Sequence, residues 1–128
     1  MKNYLGGEYA LTCDEVIFES ANEIIIQESK NSSRSKLPTN DDIKDGLFKL
    51  ILFSNIDKLT LDGIEVKFKT RLKLTSNIDG EIHLPQDIEA IQHFVRKNQL
   101  TKSQESRVLL LNEEARENGL TIVLQSNK

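Results

Sequence analysis

Hydrophobic and polar positions follow two rhythms along this chain, and each change of rhythm marks an element. From Glu65 to Leu74 the alternation has period two, with Val66, Phe68, Leu72 and Leu74 on one side and Lys67, Lys69, Arg71 and Lys73 on the other. Such a pattern predicts a long strand with one buried face. Upstream, Val16-Ile17-Phe18 and Ile24-Ile25-Ile26 are β-branched or aromatic runs. They predict two more strands, the first reading from Glu8 to Phe18 and opening at Gly6-Gly7, the second buried on both faces. Only Ser20-Ala21-Asn22 separates them, so they should pair antiparallel as a hairpin. Leu120 to Leu124 predicts a last buried strand.

Between the strands the apolar period lengthens to that of a helix. After the polar loop Asn31 to Leu37, Thr39 is placed to cap a helix, with Asp42 in the capping-box position. Ile43, Leu47, Leu50 and Ile51 follow at helical spacing, and Phe48 and Leu52 widen the stripe toward a helix buried on more than one side. Asp62-Gly63 and Asp79-Gly80 predict turns, the first joining Leu59-Thr60-Leu61 to the long strand. Pro85 is expected to start a helix through about Lys97, with Ile88, Ile91, Phe94 and Val95 inward. Thr101 and Gln104 resemble a capping box for a third helix carrying Val108, Leu111 and Ala115, closed by Gly119. The order strand, strand, helix, long strand, helix, helix, strand predicts an α/β (α+β) domain over residues 1–128, a mixed central sheet flanked by helices. No glycine-rich phosphate loop is present.

Composition narrows the chemistry. The 128 residues carry a net charge of −3, so any surface for nucleic acid must be a local patch. One cysteine, Cys13, and two histidines, His83 and His93, cannot build a structural zinc site, and any metal would be held by oxygen. Cys13 reads as a small strand residue and the histidines as structural or surface groups. The lone thiol, the lack of an apolar leader at Met1 to Leu5 and the absence of a spanning apolar run predict a cytoplasmic protein with no membrane segment.

The chemistry-bearing stretch is Glu28-Ser29-Lys30, which ends the isoleucine strand. Glu28 and Lys30 are two apart and project from one face of a strand. Hairpin pairing brings the start of the first strand beside the end of the second, and so Asp14 close to Glu28. Glu15 is the rival for that inward position, because neighbours on a strand point oppositely. Two converging carboxylates need a cation, and magnesium accepts one or two of them together with water and phosphate oxygens. An amine such as Lys30 can then offset charge on a phosphorane-like transition state. Lys67, Lys69, Arg71 and Lys73 recur about every 7 Å, close to phosphate spacing along one DNA strand, and equally suit a solvated strand guarded by lysines. Lys30, Arg34 and Lys36 make the following loop basic.

An aspartate ahead of a short apolar strand, then an apolar strand ending in Glu-x-Lys, resembles the PD-(D/E)XK nuclease superfamily. With the helix after the motif and the strand Leu72-Lys73-Leu74-Thr75, the pattern looks most like type II restriction endonucleases and covers roughly residues 10 to 75. The resemblance implies magnesium-dependent (or manganese-dependent) cleavage of double-stranded DNA by a restriction endonuclease-like core. It makes Asp14 and Glu28 metal ligands, the Ser29 carbonyl a further ligand and Lys30 the catalytic lysine. It also implies a homodimer or a partner subunit. Cys13 stands where the family often has proline. Only thirteen residues precede Asp14, where the family usually places an acidic helix and a strand; Glu8 is the nearest acid. The same resemblance admits a nuclease-fold fragment that binds DNA or a partner without cutting, and a Holliday-junction resolvase.

Overall fold

The computed structural model describes residues 2–3, 7–8, 14–20, 22–56, 59–61 and 63–128. Gly6, Cys13 and Asp62 lie outside the described residues, as does the side chain of Glu8. Two short strands, β1 (Lys2–Asn3) and β2 (Gly7–Glu8), pair with each other. Of the strand expected to run from Glu8 to Phe18, residues 9–13 lie outside the described residues, and its later part is β3 (Glu15–Ser20). There follow β4 (Glu23–Asn31), α1 (Asn40–Ser54), β5 (Leu59–Leu61), β6 (Ile64–Ser76), β7 (Glu81–Leu84), α2 (Ile88–Lys97), α3 (Lys102–Asn118) and β8 (Thr121–Ser126).

The main sheet runs β3-β4-β6-β8-β7, with β5 paired to the start of β6. β3 and β4 form the expected antiparallel hairpin, with Val16 opposite Ile26 and Phe18 opposite Ile24. β4 and β6 are parallel, so the chain must cross over between them, and α1 is the crossover. β8 is parallel to β6 and antiparallel to β7. The sheet is mixed and helices flank it, as the patterning predicts.

Register decides the faces. Ile24, Ile26 and Glu28 stand beside Phe68, Thr70 and Leu72, and Leu74 beside Leu124. This face meets the helices: Ile26, Leu72, Leu74, Ile122 and Leu124 join Leu50 and Phe53 of α1, Ile91 of α2 and Val108 and Leu111 of α3 in one core. Residues such as Leu50, Leu72 and Leu74 are fully buried, which contributes roughly 1.5–3 kcal/mol each relative to exposure. The opposite face carries Ile25, Gln27, Lys69, Arg71, Lys73 and Val123. Ile25 is nonetheless buried, so all three isoleucines are covered as their run predicts.

Local capping sets the helix boundaries. The Thr39 hydroxyl accepts from the Asp42 amide at 3.2 Å, and Thr101 and Gln104 form both arms of a capping box. Gly119 ends α3 at φ +65°, a conformation glycine adopts without a Cβ penalty. Two expectations are corrected and one strand is added. α2 begins at Ile88, capped by Asp87, and not at Pro85; Ile88, as its first residue, lies beyond the packed stripe and is 55% exposed. Phe48 and Leu52 are exposed, because α1 meets the sheet only through the side bearing Ile43, Gly46, Leu50 and Phe53. Glu81 to Leu84, unassigned in the patterning, is the edge strand β7. Among the described residues no helix is long and apolar enough to cross a membrane.

Candidate functional site

The group of charged residues that stands out is set by the hairpin and the crossover together. One step beyond the Glu15–Gln27 pair, the same register sets Asp14 across from Glu28. Asp14 accepts a hydrogen bond from the Ser29 amide through Oδ2 at 2.8 Å. Its neighbour Glu15 belongs to the opposite face with Gln27, and its Oε1 accepts from the Ser29 hydroxyl at 3.4 Å. The choice between the two acids therefore falls on Asp14 as the companion of Glu28.

Glu28 projects from the helix-covered face and is 1% exposed, yet neither of its oxygens has a hydrogen-bond partner among the described residues. An unsatisfied buried carboxylate is costly. Burial, foremost, and then the charge of Asp14 push its pKa above the ordinary carboxylate value, while Lys49 draws it back down. Lys49 Nζ lies 3.8 Å from Glu28 Oε2, an ion-pair distance too long for a hydrogen bond.

Lys30 does not pair with Glu28. Its Nζ donates to Asp45 Oδ2 at 2.8 Å, and that bond holds the lysine pKa above and the aspartate pKa below their usual values. Lys49 Nζ also stands 3.6 Å from Asp45 Oδ2. Asp45 and Lys49 are neighbours one turn apart on α1, which Gly46 brings close to the sheet: a Cβ there would sit 2.6 Å from Leu72 Cδ1 and 3.9 Å from Lys30 Cε. The group thus comprises Asp14, Glu28, Lys30, Asp45 and Lys49. Patterning missed the last two. The available signal was the glycine inside a helical stripe, which marks a close approach.

The remaining candidates fall elsewhere. Lys67, Lys69, Arg71 and Lys73 share a face, as the alternation predicts, but it is the face opposite to Glu28 and Lys30. Lys67 and Lys69 are exposed, and Arg71 is half-buried with its Nε donating to Gln27 Oε1. Lys36 lies in the loop after β4, where its backbone carbonyl accepts from the Ser76 hydroxyl at 2.8 Å. His83 pairs with Glu81 at the edge strand, 3.2 Å apart.

Among the described residues no three His, Cys, Asp or Glu side chains group to hold a metal ion. The donors at hand are two carboxylates, Asp14 and Glu28. Two carboxylates meet magnesium's needs when water and a phosphate oxygen fill the other positions, and the two unpartnered oxygens of Glu28 are of the type such an ion takes. No protein-family model, no curated protein and no solved structure matches this chain.

Proposed function

We propose that this chain is a restriction-type nuclease domain that hydrolyses phosphodiester bonds of double-stranded DNA with magnesium or manganese. The observation that supports this reading best is Glu28: a buried carboxylate with both oxygens unsatisfied, beside Asp14, at the end of a central strand. Asp14, Glu28 and the Ser29 carbonyl would hold the ion, which when bound would supply Lewis-acid polarisation of the phosphate. Lys30 and Lys49 are the amines within reach of the charge that builds on the phosphoryl oxygens. In the reaction a water oxygen bonds to phosphorus as the bond to one bridging ribose oxygen breaks, and the leaving oxygen takes up a proton. Cutting both strands needs two such sites, so the working form is a homodimer or a complex with a partner subunit. The lone cysteine favours the cytoplasm.

Nicking of supercoiled plasmid with magnesium or manganese tests the proposal. Glu28→Gln and Asp14→Asn should each lower the rate by at least about a hundredfold, the scale of removing one electrostatic catalytic group. Undiminished cleavage by both variants removes the site. A second reading, DNA binding without cleavage, is favoured by the 2.8 Å bond that commits Lys30 to Asp45. It predicts salt-sensitive binding, no nicking and no metal uptake at Asp14 and Glu28.

A further inference from the structure

The proposed function gives Glu28 to a divalent cation, yet the amine within ion-pair distance of this carboxylate among the described residues is Lys49 on α1. Lys49 Nζ stands 3.8 Å from Glu28 Oε2 and makes no hydrogen bond to it. The Glu28 side chain is sealed at 1% exposure, whereas that of Lys49 is 39% exposed and carries a flexible four-carbon stem. Withdrawal of the amine therefore breaks no hydrogen bond to Glu28. A second carboxylate waits for the amine: Asp45 Oδ2 is 3.6 Å from Lys49 Nζ, one helical turn back. Lys30 cannot take the same part, because its amine is already held by Asp45 at 2.8 Å.

Resting on the nuclease reading, we propose that Lys49 is a placeholder for the divalent cation. It neutralises Glu28 in the ion-free protein, competes with the ion for that carboxylate, and withdraws toward Asp45 and the substrate phosphate when the ion binds. Gly46 is part of the device, since it lets α1 lie near enough to Leu72 for Lys49 to reach Glu28. In this protein the positive charge that guards the buried acid is thus built into the crossover helix, and ion affinity is set by a residue that is not itself a ligand.

Manganese binding to the full chain at pH 8, followed by the electron paramagnetic resonance of free Mn2+, tests the proposal without reference to catalysis. Lys49→Met should tighten binding roughly ten- to a hundredfold, the range by which an opposite charge within ~4–6 Å alters the affinity of a carboxylate for a proton. Lys49→Arg, which keeps the positive charge opposite Glu28, should stay within about threefold of the parent, because the competition is coulombic and no hydrogen bond joins the pair. In a Glu28→Gln background the Lys49→Met gain should vanish. Unchanged or weaker binding by Lys49→Met, with Glu28→Gln still abolishing uptake, overturns the placeholder and leaves the nuclease site standing. Binding that Glu28→Gln does not alter overturns both, as does absence of binding in every variant. Thermal melts confirm that each variant is folded before titration.

Discussion

Glu28→Met separates the cost of the site from its use. The parent side chain holds a carboxylate at 1% exposure with no hydrogen bond to either oxygen among the described residues, and a neighbouring acid raises its energy further. Methionine has similar length and no charge to desolvate. Leaving a buried polar group unsatisfied costs about 1–3 kcal/mol, so Glu28→Met should stabilise the fold by that amount at pH 8. For a domain of 128 residues this is a rise of roughly 4–11 °C in Tm. The pH dependence carries a sign. The folded-state pKa of Glu28 is raised, so the folded protein binds the proton more tightly than the unfolded chain does. Its contribution is fully present below the ordinary value of 4.5 and is lost as pH climbs through the raised value. The gap between variant and parent should therefore be small in acid and widen upward, because all other carboxylates cancel in the difference. Urea melts of both proteins from pH 4 to pH 8 read this directly. A variant less stable than the parent at pH 8, or a gap that narrows as pH rises, refutes the reasoning.

Gly46→Val should cost about 1–3 kcal/mol in the same melts, since a Cβ 2.6 Å from Leu72 Cδ1 forces α1 off the sheet; an unchanged midpoint would contradict the close approach. Asp45→Ala removes both the hydrogen bond and the charge that raise the Lys30 pKa, so the 13Cε resonance of Lys30 should titrate at lower pH than in the parent. Lys67→Gln with Lys69→Gln should leave plasmid nicking within about twofold while flattening the salt dependence of DNA binding, because each lost phosphate contact reduces that slope by roughly one. A collapse of nicking in that double variant would place these lysines at the scissile phosphate.

The hairpin and the acid pair are legible from residues alone for a physical reason. A three-residue link between two strands leaves few registers, and a one-residue slip would turn Ile24 and Ile26 away from the core. The pairing of Asp14 with Glu28 then follows from counting. β7 escapes the same treatment: Glu81-Ile82-His83-Leu84 alternates correctly but is four residues long, and only its place beside β8 makes it a strand. The helix-side residues escape for a different reason. Asp45 and Lys49 look like an ordinary i,i+4 surface pair, and nothing local distinguishes them from Asp41 or Lys44. Their role depends on which flank of α1 lies over β4, a tertiary fact that the parallel crossover decides. Ile88 and Phe48 show the limit of periodicity as well, since it gives the angle of a side chain but not whether the sheet extends beneath it.

The two faces of the sheet divide the charges in a way that constrains any use of the site. Glu28 and Lys30 alternate with Gln27 and Ser29, so the acid site opens on the helix side while Lys67, Lys69, Arg71 and Lys73 decorate the other. A single phosphate cannot touch both, because a sheet and its side chains separate the faces by about the ~10 Å of a packed layer. At Glu28 the amines on hand among the group described are Lys30 and Lys49, both tied to Asp45. The basic stripe can serve only a different stretch of backbone, reached around the β3 edge or presented by another molecule. On the nuclease reading, chemistry at Glu28 would depend on freeing amines from Asp45, and not on the most conspicuous run of lysines in the chain.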